Sequence, residues 1–310
     1  MKKPTISVVL LSYNSEKTVI ETLSSILNQS YGCQHIELII GDDASKDDTT
    51  KIITSWLNGN RHFFHSVKLN ISNINNGLVS NFNSSCKLAT SDWIKAIAAD
   101  DILMKDCLYE FSKFTEHNPN VSCVFCKIEK FNDDTILGVM PRDSYYFKLS
   151  ADEQFENLLV DNFLPAPGSF IKTSLLESTN YAAAGMFIED YPMWLKFTSM
   201  GIKIPLLDKV LVRYRIGNSV SKSESSLINP NLAHDTYTVK KIFLAKLNKP
   251  CYKKALYYFD LHIYNINNWM KIKIFKNKKN LLSKNIGFLF RFSSPLWVMK
   301  KIKSRLYSKN

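Results

Sequence analysis

Residues Trp93–Leu103 read Trp-Ile-Lys-Ala-Ile-Ala-Ala-Asp-Asp-Ile-Leu. An apolar run suited to a buried strand breaks there into two adjacent acids, Asp100 and Asp101. A hard divalent cation held by one or two carboxylates completes its shell with water and phosphate oxygens, so the pair can serve metal and phosphate chemistry. The plainer reading is a turn with an exposed Asp-Asp pair, since Asp favours turns. Two more apolar runs end in polar groups. Ile6–Leu11 leads into Ser12-Tyr13-Asn14-Ser15, and Ile36–Ile40 into Gly41-Asp42-Asp43-Ala44-Ser45. Open α/β sheets bind ligands beyond the carboxyl ends of their strands, so three such ends together favour a site over three unrelated turns. A further acid pair, Glu189-Asp190, stands before Tyr191-Pro192-Met193-Trp194. Local sequence favours helix-start chemistry, with acids at a positive dipole end and Pro192 in the first turn. The functional reading is a carboxylate aimed into a cleft as a base. Arg213 to Ser221 is a basic, hydroxyl-rich loop around Gly217 that could hold phosphate or lie on the surface.

The elements that would carry these groups alternate from the start of the chain. Ile6–Leu11 and Ile36–Ile40 are near-continuous apolar runs, as central parallel strands require. Val67–Ile71, Trp93–Ala98 and Val121–Phe131 follow as strands, and Thr135–Val139 after the turn at Asn132-Asp133-Asp134. Between them Val19, Leu23, Ile26 and Leu27 repeat at helical spacing, with Asn14 or Ser15 as candidate cap. Thr49–Leu57, Leu78–Leu88 and Met104–Thr115 also read as helices. This pattern predicts a parallel sheet with right-handed crossovers and a cleft at the strand ends. Neither a Gly-x-Gly-x-x-Gly nor a P-loop sequence occurs, which removes the main support for dinucleotide and P-loop readings. After 140 the alternation stops. Asp152–Val160 reads as a short helix, Pro165–Ser169 as a rigid loop, and Ile204–Leu207 and Val210–Tyr214 as two short strands. Residues 231–275 read as two helices separated by Asn248-Lys249-Pro250.

At 310 residues the chain can hold one large domain with an appendage, or two domains. No apolar run reaches membrane-span length. The N-terminal Met-Lys-Lys-Pro enters a strand without a signal peptide's apolar region, so a cytoplasmic protein is expected. The six cysteines include one close pair, Cys123 and Cys126, inside a strand pattern; ordinary buried thiols are expected. The net charge of +12 is uneven. Residues 240–310 hold eighteen Lys/Arg and one acid, Asp260, which leaves 22 basic and 27 acidic residues in 1–239. Such asymmetry speaks of partners. Ile286–Leu306 mixes Phe288, Leu289, Phe290, Phe292, Leu296 and Trp297 with Lys300, Lys301, Lys303 and Arg305. That pattern suits a helix on an anionic membrane surface; a packed helical cap with a solvated basic face is the alternative.

Taken in order, Ser-Val-Val-Leu-Leu-Ser-Tyr-Asn, Ile-Ile-Gly-Asp-Asp-Ala-Ser-Lys-Asp, Asn-x-Gly-Leu-Val-x-Asn-x-Asn, Ala-Asp-Asp and Glu-Asp-Tyr resemble the inverting glycosyltransferases of family 2 over about residues 4–221. The resemblance implies a GT-A fold: an α/β, Rossmann-like, mostly parallel sheet flanked by helices. The expected division is a catalytic domain at 1–225, with a nucleotide half to about 103 and an acceptor half beyond it. A basic helical region would follow at 226–310. By likeness, Ser12, Tyr13 and Asp43 contact the uracil or ribose with Asp42 beside them, and Asn76 and Asn83 shape the wall near ribose and phosphates. The family's metal motif is Asp-x-Asp. Here Ala98 takes the first position, so Asp100 and Asp101 remain as ligands for Mn²⁺ or Mg²⁺, with Asp100 also near the nucleotide. Which of the two binds metal directly stays open. Glu189-Asp190 matches the catalytic motif, with Asp190 as base. Where relatives often carry a His near the diphosphate this chain has Gly217, which leaves Arg215 and Ser219 to hold the leaving group.

The implied reaction moves a sugar from a nucleotide-diphosphate donor, UDP-hexose, to a lipid-linked saccharide acceptor, and inverts an α-linked donor to a β-glycoside. Polyprenyl-diphosphate-linked acceptors of surface-polysaccharide assembly (O-antigen or capsule) fit the family and the tail. Peripheral association with the inner face of the cell membrane through residues 240–310 is expected, and no nucleic acid. Two other readings stay in view. One is a nucleic-acid-binding protein using the basic tail with Tyr264, Trp269, Phe275 and Trp297 interleaved. The other is an inactive sugar-nucleotide-binding relative, motivated by Ala98.

Overall fold

The computed structural model describes residues 3–133, 135–217 and 226–307, so Ser219 lies outside the described residues. Nine strands form one sheet: β1 (Ile6–Ser12), β2 (Ile36–Asp42), β3 (Ser66–Ile71), β4 (Trp93–Ala98), β5 (Ile102–Leu103), β6 (Cys123–Asn132), β7 (Thr135–Met140), β8 (Ser169–Lys172) and β9 (Leu206–Arg215). Their order is β3-β2-β1-β4-β8-β6-β9-β5, with β7 also on β6. The pairings β1–β2, β1–β4, β2–β3 and β6–β9 are parallel, while β8 runs antiparallel to both β4 and β6.

The helices are α1 (Val19–Leu27), α2 (Thr49–Asn60), α3 (Leu78–Cys86), α4 (Cys107–His117), α5 (Tyr145–Lys148), α6 (Ala151–Val160), α7 (Thr173–Ser178), α8 (Asp190–Ser199), α9 (Pro230–Ala245), α10 (Cys251–Trp269), α11 (Leu281–Phe292) and α12 (Pro295–Tyr307). Every residue of β1 and β2 is buried, as expected of strands covered on both faces. Side chains alternate between the faces. Val8, Leu10, Leu38 and Ile40 join Val19, Leu23 and Ile53 in one core, and Val9, Leu11 and Ile39 join Val79, Phe82 and Trp194 in the other.

Three expectations are corrected. The Pro165–Ser169 loop hands over directly to β8, a four-residue strand between β4 and β6 that local sequence hides. The two short strands read around Asp208-Lys209 are one strand, β9, whose register against β6 shifts near Lys127. The stretch Ile286–Leu306 is two helices, because Pro295 cannot continue α11. The first helix also starts later than its polar turn, at Val19 behind Thr18, and Ser15 serves it through its carbonyl alone.

The C-terminal helices pack on the sheet domain. Val239, Leu244, Leu247 and Leu261 lie in its core. Lys240 Nζ donates to Val160 O at 2.8 Å, and Lys300 Nζ to Asn157 O and Asp161 O at 3.0 and 2.7 Å. Two buried amines thus satisfy carbonyls at the C-terminal end of α6, with burial lowering Lys240 to about 8 and Lys300 to about 7. The region is a packed helical cap. It still leaves Leu281, Leu282, Phe288, Leu289 and Phe292 more than half exposed. No described helix is long and apolar enough to cross a membrane.

Candidate active site

The carboxyl ends of β1, β2 and β4 meet at one edge of the sheet, because these strands are neighbours and parallel. Asp42 is fully buried and spoken for. Its Oδ2 accepts from Ser12 Oγ (2.8 Å) and Ser45 Oγ (2.6 Å), and its Oδ1 from Ser45 N (2.9 Å). Ser45 Oγ in turn accepts from Asn14 N at 2.8 Å, so the turns after β1 and β2 are laced together. Tyr13 projects from this lacing with 44% of its surface exposed, free to lie against a planar ring. Asp43 accepts from Asn76 N and Gly77 N, each at 2.8 Å, which fixes the turn into α3. With Asn70, Ser72, Asn76 and Ser80 it lines a polar cleft of about 220 Å³. The Asn76 side chain bonds Ser72 and Ile74 within its own loop. The Asn83 amide holds Ala182 by both its N–H (3.0 Å) and its C=O (2.9 Å). Asn83 therefore ties α3 to the segment that leads to α8.

Gly41 shows why that edge stays narrow. A Cβ there would stand 2.1 Å from Ser85 Oγ and 2.4 Å from Asn81 Oδ1, so α3 lies against β2 only where no side chain intervenes. Asn81 completes the approach by donating to Gly41 O at 3.1 Å.

Beyond β4, Thr18 and Thr22, one helical turn apart, donate to Ala99 O (2.8 Å) and Asp101 O (2.7 Å). Asp101 Oδ1 accepts from Arg215 N at 2.9 Å. Among the described residues its buried Oδ2 has no hydrogen-bond partner. Burial, then the charge of Asp100, pushes the Asp101 carboxyl well above its ordinary range, and burial also raises Asp100. Adjacent carboxylates that charge so reluctantly, one with an orphaned oxygen, fit a divalent cation. Among the described residues no group of three or more His, Cys, Asp or Glu forms a complete protein cage. That suits a cation sharing its shell with phosphate oxygens. Arg215 is occupied by protein: Nε donates to Asp100 O at 3.0 Å, the guanidinium pairs with Glu21, and its plane lies 4.4 Å from the Phe131 ring centre. In this geometry it props the Asp-Asp turn and would have to leave Glu21 to meet a diphosphate.

Glu189 and Asp190 open α8 and are partly accessible. Asp190 Oδ1 accepts from Tyr191 N at 2.6 Å. Desolvation pushes Asp190 up to about 6, against the pull of that N–H and of the Trp194 indole, which faces it without a bond of regular geometry. Desolvation and the neighbouring Asp190 push Glu189 up to about 8. Both carboxyls of the pair thus hold a proton more readily than free ones do. Helix α8 is held by Tyr191 Oη, which donates to Leu158 O at 2.6 Å.

The props Thr18, Thr22 and Trp194 were not singled out in sequence. Their signal is four-residue spacing on a helix face, which core residues share. Lys95, fully buried in β4 with Nζ on Pro167 O (2.6 Å) and Ala96 O (2.9 Å), carries no local signal. The larger cavity, about 680 Å³, lies at the opposite edge of the sheet around Thr5, Trp93 and Lys172, and contains none of the groups above.

Comparison with known proteins gives the family and the fold. The sequence profile of the family described as "Glycosyl transferase family 2" matches residues 7–177. An uncharacterized glycosyltransferase of Methanocaldococcus jannaschii is 24% identical over 268 residues, 86% of this chain and 88% of that protein. A poly-beta-1,6-N-acetyl-D-glucosamine synthase of Staphylococcus epidermidis is 27% identical over 186 residues, covering 60% of this chain and 43% of the synthase. Among solved structures, S. aureus TarS 1-349 in complex with UDP-GlcNAc superposes with a TM-score of 0.62 at 19% identity, covering 93% of this chain and 79% of that one. The mannosyltransferase PcManGT from Pyrobaculum calidifontis, in complex with GDP-Man and Mn²⁺, gives 0.59 at 15%, covering 100% and 89%. These likenesses show the fold, the GT-A arrangement of sheet and flanking helices.

Proposed function

Because the chain belongs to glycosyl transferase family 2, we propose that it moves a hexose from a UDP donor to a saccharide acceptor with inversion, forming a β-glycosidic bond. The observation that carries this reading is the Glu189-Asp190 pair, which opens α8 partly accessible, with Asp190 Oδ1 held by Tyr191 N and burial raising both carboxyls. A base is most effective with a pKa near the working pH, and a positioned one contributes about 10²–10⁴ in rate. Asp190 takes the proton of the acceptor hydroxyl as its oxygen attacks the anomeric carbon. The bond to the diphosphate breaks on the opposite face, which inverts the centre. Tyr13 and the cleft around Asp43 receive the nucleoside, and the Asp100-Asp101 turn faces the diphosphate. Mn²⁺ or Mg²⁺ bound by Asp100 and Asp101 would neutralise charge growing on the leaving group. Arg215 and Ser219 are the candidates to add positive or hydroxyl contacts to it.

The acceptor we propose is a polyprenyl-diphosphate-linked saccharide of O-antigen or capsule type, met at the inner face of the cell membrane. The support is the excess of cations in residues 240–310 beside the exposed Leu281, Leu282, Phe288, Leu289 and Phe292. Apolar groups interleaved with cations are what an anionic lipid surface binds.

The test is calorimetric binding of UDP and GDP with Mn²⁺, with Mg²⁺ and with chelator. Metal-dependent UDP binding that disappears in Asp100→Ala and in Asp101→Ala is expected. No binding of either nucleotide under any metal condition would sink the donor reading.

A further inference from the structure

The segment that delivers Asp190 is a strap tied at two points. At its start Asn83 of α3 holds both the N–H and the C=O of Ala182. Near its end the N–H of Phe187 donates to Asp235 Oδ2 on α9. Between the ties Ala183, Ala184 and Gly185 are exposed, and Gly185 turns with φ +79°, where a Cβ would touch nothing. Only Ala183–Gly185 are free of packing; Met186 and Ile188 pack against the core on either side of Phe187, and these contacts together with the two hydrogen-bonded anchors set where Glu189 and Asp190 emerge. Asp235 is well placed to anchor. It is buried, with 8% of its surface exposed. Its helix is fixed by Val239 and Leu244 in the core and by Lys240 on Val160 O. A hydrogen bond from a backbone N–H to an ionised carboxylate is roughly twice as strong as one between neutral groups.

We infer that Asp235 is a positioning residue for the base: through Phe187 it holds the strap so that Asp190 meets the attacking hydroxyl. This rests on Asp190 being the base, and it adds α9 to α8 as an element that sets the base, both beyond the 7–177 region that the family profile matches. The tie has to withstand the ordering of substrate, since displacement of a reacting group by about 1 Å can cost about 10² in rate.

The experiment compares Asp235→Ala, Asp235→Asn and Asp190→Asn in the full chain. UDP release from UDP-N-acetylglucosamine with Mn²⁺ is the activity probe, and hydrogen exchange of the 182–190 amides is the structural one. Asp235→Ala is expected to speed exchange at Phe187–Asp190 and to lower kcat by about 10², with KM for the donor little changed. Its acid limb should move below about 6, because a loosened Asp190 regains water. Asp235→Asn keeps an acceptor oxygen and should recover most of the rate. Unchanged exchange in Asp235→Ala overturns the tie, and faster exchange with wild-type kcat overturns the positioning role. An Asp190→Asn rate near wild type overturns the base assignment itself. That result is distinct from a crippled Asp190→Asn beside an intact Asp235→Ala, which removes Asp235 alone.

Discussion

At the scale of single residues, the site separates carboxylates by what surrounds them. Asp42 has three donors on it and serves the turn. Asp101 has one donor on Oδ1 and an orphaned Oδ2, and Asp190 has the N–H of its own helix start. Only the last two keep capacity for a partner from outside. The pH dependence follows for Asp190. Burial raises Asp190 to about 6, so the proposed base is charged above that value and protonated below it. Wild-type kcat/KM should therefore fall roughly tenfold for each pH unit below that value. Asp190→Asn should lower kcat by about 10²–10⁴ with UDP binding kept, and its residual rate should lack the acid limb. A pH–rate profile of the two proteins decides it, and a near-wild-type rate in the variant would remove Asp190 from the role. The acid pairs themselves were visible in sequence as Asp100-Asp101 and Glu189-Asp190. Their props were not, because a threonine that holds a carbonyl 79 residues away, as Thr22 does with Asp101, looks like any helix residue until the chain is folded.

Between elements, close approach governs the sheet edge at which β1, β2 and β4 end. Helix α3 touches β2 at Gly41, and the space a methyl would need is filled by Ser85 and Asn81. Both are already hydrogen-bonded, Asn81 to Gly41 O and Ser85 to Asn70. Gly41→Ala should cost about 1–3 kcal/mol, as overpacking of tight contacts does, read as a lower urea midpoint with an unchanged slope. An unchanged midpoint would mean that α3 can slide away. Strands that run as pure apolar patterns were legible, and Trp93–Ala98 was read with its bounds. Strand β8 was not, since four residues behind a Pro-Ala-Pro-Gly turn carry no periodicity, and its place is set by two neighbours distant in sequence. Asp208-Lys209 split β9 in the reading because two charged residues look like a turn. On the sheet they are partly solvated, and each makes an ion pair, with Lys127 and Glu110.

On the scale of the whole molecule, the basic C-terminal region is at once cap and surface. Removing it would uncover Val239, Leu244, Leu247 and Leu261, so single substitutions are the sounder probe of its partner. Phe288 and Phe292 are exposed and in edge contact at 4.8 Å. Co-sedimentation with phosphatidylserine vesicles should be strong at low salt and lost at about 0.5 M NaCl, where screening reaches a few ångströms. Phe288→Ala with Phe292→Ala should weaken it without lowering the melting temperature. Equal binding to neutral vesicles, or stronger binding to RNA, would overturn the membrane reading. The order of the strands has one more consequence. Asp101 takes its hydrogen bond from Arg215, 114 residues onward, and among the described residues β5 is paired only by β9. During synthesis the first four strands can assemble early and Thr18 and Thr22 can already hold the backbone of the Asp-Asp turn, yet the Asp101 carboxylate lacks its hydrogen bond until residue 215 has left the ribosome. The nascent chain therefore has its scaffold well before the proposed diphosphate site is complete, and completing it waits on the slow, long-range closure of the last strand.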